Sequence, residues 1–71
     1  MEDIIYLQSS SIEWVRYIQD SSEMHIAFLD SGAIYSYFDV SPEVFEQFMN
    51  SSSKGRFFNS EIKPVYQFAR L

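Results

Sequence analysis

The 71-residue chain is one domain's worth of sequence, and with no cysteine and a single histidine it excludes a disulfide framework and a structural zinc site. Its net charge of −5 argues against a sequence-blind coat on nucleic acid, and no apolar run approaches the roughly 20 residues of a membrane span. Seven Phe, five Tyr and one Trp supply more aromatic bulk than so small a core needs, so some should line a groove or a subunit interface. The opening run Met1-Glu2-Asp3-Ile4-Ile5-Tyr6 is acidic where a signal peptide needs positive charge, so a cytoplasmic location is expected.

In chain order, Ile4 to Leu7 is a weak strand candidate. Ile12 to Gln19, rich in β-branched and aromatic residues, reads as the first firm strand. The turn formers Asp20-Ser21-Ser22-Glu23 interrupt it. Met24 to Leu29 alternates, with Met24, Ile26 and Phe28 on one face and His25, Ala27 and Leu29 on the other. Asp30-Ser31-Gly32 is a tight hairpin signal in which Gly32 is free to take positive φ. Ala33 to Phe38 follows, with Tyr35 and Tyr37 on one face. Three strands joined by short turns predict an antiparallel meander.

The period then changes from two to 3.6. Ser41 is placed as N-cap, Pro42 at the first helical position and Glu43 near the positive dipole end. Val44, Phe45, Phe48 and Met49 fall on one stripe, so this helix should lie across one face of the sheet. Ser53 is positioned to cap a short helical turn over Lys54 to Asn59. Pro64 is expected to force an extended stretch, with Val65 to Arg70 a possible further strand. The fold class is therefore α+β: a three-stranded antiparallel meander, a helix packed across one face, and an extended or short helical C-terminal segment.

The run Ser31 to Val44, containing Tyr35-Ser36-Tyr37 ahead of the proline-capped helix, is followed by Ser53-Lys54-Gly55-Arg56-Phe57-Phe58-Asn59. These two elements in this order resemble the KTSC domain family, named after the C-terminus of some lysyl-tRNA synthetases and found also as small stand-alone bacterial and phage proteins. The resemblance spans roughly Ser10 to Tyr66 and takes residues 1–71 as a single domain of this kind. Its synthetase association implies RNA as a ligand.

Charge is unevenly spread. Residues 1–53 carry nine acids and Arg16, giving −8, whereas residues 54–71 carry four bases and Glu61, giving +3. A phosphate should therefore meet the C-terminal quarter, unless that segment only neutralises the acidic body. Ser53, Lys54, Gly55 and Arg56 bring backbone N–H groups and two cations to a helix start, which can hold an anion or be a solvated turn. Asn59 and Lys63 can join that site, Asn59 equally as a cap. Tyr35 and Tyr37 are either a stacking platform for a base or packing under the helix.

Other constellations are weaker. His25 has no convincing nucleophile partner and reads as a sheet-face residue. Ser51-Ser52-Ser53-Lys54 matches Ser-x-x-Lys only by chance in a serine tract. No catalytic or metal-ligating set assembles, and no cofactor is expected. Trp14 and Arg16, grouped with Ile12 and Ile18 on one strand face, form a candidate interface for a homodimer, a higher oligomer or a partner protein.

Two functions follow. The first is a non-catalytic module binding a phosphate-bearing ligand, either a small nucleotide or a short RNA. The acidic body favours the small ligand, and one form would be a phage-type protein that sequesters a nucleotide signal. The second is a protein–protein interaction module acting through the Trp14–Arg16 face, for example on a basic partner.

Overall fold

The computed structural model describes residues 3–71; Met1 and Glu2 of the acidic opening run lie outside the described residues. Three strands form where the alternating pattern predicts them: β2 (Ile12–Ile18), β3 (Glu23–Phe28) and β4 (Ile34–Tyr37). The turn before β4 uses Gly32 at φ +68, the left-handed conformation that the hairpin signal requires. Two short strands extend the meander. β1 (Ile5–Tyr6) pairs with β2, and β5 (Phe68–Arg70) pairs with β4. The sheet is thus five-stranded and wholly antiparallel, in the order β1-β2-β3-β4-β5, rather than three-stranded. The added strands fall within the Ile4–Leu7 and Val65–Arg70 candidates but are only two and three residues long, too short to show an alternating pattern.

Along β2 strict alternation fails. The register shifts between Ile12 and Trp14, so that Ile12 pairs with Phe28 while Trp14 pairs with Ala27. This bulge turns Ile12 away from the Trp14 face and into the core beside Val15 and Tyr17. The expected grouping of Ile12 with Trp14, Arg16 and Ile18 is therefore corrected, and only the last three share a face.

Helix α1 (Pro42–Asn50) starts as its sequence dictates, with the Ser41 side chain accepting from the Val44 N–H at 3.3 Å and Pro42 in the first turn. Its apolar stripe lies on the sheet: Phe48 is fully buried, and the Phe45 ring stacks on Tyr17 at 5.0 Å. Tyr17 donates its hydroxyl to the Val40 carbonyl, tying β2 to the segment that leads into α1. A second helix, α2 (Lys54–Phe57), is capped by Ser53, whose side chain accepts from the Arg56 N–H. It runs into a π-helical turn, Phe58–Ile62, closed by the Lys63 N–H donating to the Phe58 carbonyl at 2.9 Å. Phe58 and Ile62 from this turn complete the core with Ile26, Met24 and Val40.

Pro64 does not force an extended stretch. Lys63 keeps helical angles, and the Val65 and Tyr66 amides both donate to the Ile62 carbonyl at 3.1 Å. Proline's fixed φ suits this turn, and its missing N–H falls where no partner is needed. Strand pairing resumes only at Phe68. Both helices and the π turn lie on one side of the sheet, leaving the face of Trp14, Arg16, His25 and Ser36 without a helix over it.

Candidate ligand-binding clefts

The residues singled out in the sequence separate into two clefts that meet at Asn59. The larger, about 750 Å³, lies between the β1–β2 connection and α2. Ser53, Lys54, Gly55, Arg56 and Asn59 form one wall, and the Ser9-Ser10-Ser11 tract faces them. Gly55 brings the α2 backbone close to this tract: a Cβ at this position would sit 2.8 Å from the Ser11 hydroxyl oxygen, which would have to rotate away. Lys54, in the same wall, donates from its ammonium to the Ser51 carbonyl at 2.8 Å, at the C-terminal end of α1, and keeps two further N–H donors. Arg56 is exposed at the mouth of the cleft. No Asp or Glu among the described residues lines this cleft, although the chain carries ten.

The smaller cleft, about 310 Å³, is aromatic. Tyr35 and Tyr37 line it with Phe28, Phe58 and Phe68, and Lys63 and Asn59 stand among its polar lining. The rings meet edge-on or tilted: Tyr37 lies 5.4 Å from Phe58 and 5.3 Å from Phe68, and Tyr35 lies 5.9 Å from Phe28. Tyr37 is buried and Tyr35 half-buried, so the pair is part of the packing beneath the π turn as well as a cleft wall. Burial, and secondarily the neighbouring Tyr35, raises the Tyr37 phenol above the ordinary tyrosine range. The two tyrosines and the Lys54–Arg56 pair thus line different clefts, which share Asn59.

Sequence reasoning missed the Ser9–Ser11 wall. It also missed the contribution of Phe58 and Phe68, brought beside β4 by the π turn and by β5.

On the helix-free sheet face, a chain of hydrogen bonds crosses three strands. Arg16 Nε donates to His25 Nδ1 at 3.1 Å, and His25 Nε2 and the Ser36 hydroxyl both donate to Glu23 Oε1 at 3.1 Å. An imidazole that accepts at Nδ1 and donates at Nε2 is the neutral tautomer. Its partners are an arginine and a carboxylate; Ser36, opposite His25 across the β3–β4 pair, bonds to Glu23 and not to His25. The Arg16 guanidinium also lies 6.0 Å from the Trp14 ring centre. Among the described residues no group of three or more His, Cys, Asp or Glu side chains is placed to hold a metal ion. No described helix is long and apolar enough to cross a membrane.

Hydrogen bonds from His25, and then from Ser36, hold the Glu23 carboxyl below its ordinary value of 4.5. A carboxyl lowered on folding stabilises the fold above its unfolded pKa and loses that contribution as pH falls through its folded pKa. The difference in melting temperature between the native chain and Glu23→Gln should thus be present at about pH 6 and shrink as pH falls below the ordinary carboxyl value. Thermal unfolding followed by circular dichroism across that range checks it; a difference unchanged in acid would deny the linkage.

A family model for the KTSC domain matches residues 8–66, most of the chain and nearly the span of the sequence resemblance. The chain belongs to the KTSC domain family. A lysine–tRNA ligase of Nostoc punctiforme is 41% identical over 64 residues, which cover 90% of this chain but only 11% of the ligase. This KTSC chain therefore corresponds to a small part of that relative. A protein of Tsukamurella paurometabola is 38% identical over 66 residues, covering 92% of this chain and 96% of the other. The crystal structure of a KTSC domain protein from Yersinia pestis superposes with a TM-score of 0.93 at 30% identity, over 100% of this chain and 99% of that one. The Tyr35-Ser36-Tyr37 element of this KTSC domain thus forms the strand wall of the aromatic cleft, and its Ser53–Asn59 element forms the helical wall of the hydroxyl-rich one.

Proposed function

We propose that this KTSC domain is a non-catalytic, cytoplasmic binding module for a small phosphate-bearing ligand, taken up in the cleft between the Ser9–Ser11 tract and α2. The observation that carries the reading is that no carboxylate among the described residues lines that cleft, in a chain of net charge −5. Five serines line it, offering hydroxyl donors, and Arg56 at its mouth offers the paired N–H groups that suit a phosphate. A cleft of about 750 Å³ is within the range of small-molecule sites. The acidic remainder of the surface disfavours a long polyanion, so a nucleotide or a very short RNA is the better fit.

Thermal unfolding against a panel of nucleotides, dinucleotides and short RNAs tests it. A ligand at 100 times its dissociation constant adds about 2.7 kcal/mol, which shifts the midpoint of so small a domain by roughly 10–20 °C. Arg56→Ala should weaken the responding ligand by about 10–100-fold, the worth of a charged hydrogen bond. A flat panel would remove the phosphate reading.

A second reading has its own observation: Trp14, with Arg16 against its ring, sits on the sheet face that no described helix covers. That face would serve a partner protein or a second copy of the chain. Association lost in Trp14→Ala and kept in Arg56→Ala, measured by sedimentation, favours this reading over the first.

A further inference from the structure

We infer that the aromatic cleft between β3, β4, β5 and the π turn is a separate binding site for a planar aromatic ring carrying an anionic group. It lies beyond Asn59 from the hydroxyl-rich cleft and does not depend on the phosphate reading of that cleft. Three observations combine. The cavity, about 310 Å³, is walled by five aromatic rings, whose mutual edge-on and tilted packing leaves ring faces and edges to receive another flat group. Phe68 remains 53% exposed on a terminal edge strand, an apolar ring that a bound ring would cover. Lys63 and Asn59 stand in the same lining, and neither forms an ion pair or side-chain hydrogen bond among the described residues.

The chemistry of the occupant follows from these groups. The rings select a flat apolar or heteroaromatic body over a flexible chain, by stacking and edge contacts. Lys63 supplies one positive charge, which selects a carboxylate or a phosphate attached to the ring system. Asn59 and the Tyr35 and Tyr37 hydroxyls can donate to or accept from heteroatoms on the ring. Among the described residues nothing acidic lines the cleft to oppose the anion.

The test is a titration followed by the aromatic proton resonances of the intact chain, with adenosine 5′-monophosphate, indole-3-acetate, adenosine and ribose 5-phosphate as probes. Saturable shifts are expected with the two ring-bearing anions, and the stronger of them tells phosphate from carboxylate. Adenosine should bind about 10-fold more weakly than its monophosphate, and ribose 5-phosphate should leave the Tyr35, Tyr37 and Phe68 resonances unmoved. Phe68→Ala, at an exposed edge position that does not threaten the core, should weaken binding at least 10-fold. Lys63→Gln should bring the monophosphate down to the affinity of adenosine, and Glu46→Ala, on the wet face of α1, should change neither. The inference is overturned if no ring-bearing probe saturates at millimolar concentration, or if Phe68→Ala binds as well as the native chain.

Discussion

Phe48→Ala should lower the melting temperature by about 12–40 °C, and at the upper end leave the domain unfolded at physiological temperature. Phe48 is fully buried at the centre of α1's apolar stripe, with its ring 6.3 Å from Phe45 and 6.0 Å from Phe57. Truncating a buried phenylalanine costs about 3–5 kcal/mol, because its contacts and transfer energy are lost and a cavity remains. A domain of this length has only about 4–10 kcal/mol in total. There is no disulfide to hold the chain together once that is lost. Glu46→Ala, on the wet face of the same helix, is the control and should change little. Circular dichroism melts of the two variants check this, and comparable melting points would show that α1 is not seated on the sheet as described.

Ile12→Ala should cost about 2–5 kcal/mol, while Trp14→Ala two positions on should cost clearly less. Ile12 is fully buried and Trp14 only partly, because the bulge between them places the two side chains on opposite faces. Were β2 regular, the two would share the helix-free face and Ile12 would be no more critical than its neighbour. Urea titration of both variants decides, with equal midpoints counting against the bulge.

That bulge also shows where the sequence runs out as a guide. β3 and β4 were legible because Met24, Ile26, Tyr35 and Tyr37 alternate without interruption, and α1 because its cap, proline and stripe agree. A bulge inserts one residue against the partner strand, and no residue type around Ile12 marks it. β1 and β5 owe their existence to pairing with β2 and β4, not to their own two or three residues. The candidate site divides in the same way. Ser53 to Asn59 could be recognised by local chemistry, whereas its opposing serines and the aromatic partners of Tyr35 depend on long-range folding.

The order of strands has a kinetic side. Each of the first three sheet pairings joins neighbours in sequence across a short turn, so little chain entropy is lost in closing each one. Pairing Phe68 with Tyr37 instead requires α1, α2 and the π turn to be laid down in between. The meander can therefore zip from its hairpins while the C-terminal strand docks last. As an exposed edge it is, like β1, also free to fray. One wall of the aromatic cleft thus belongs to the last part of the chain to arrive and to one of the two strands that leave most easily.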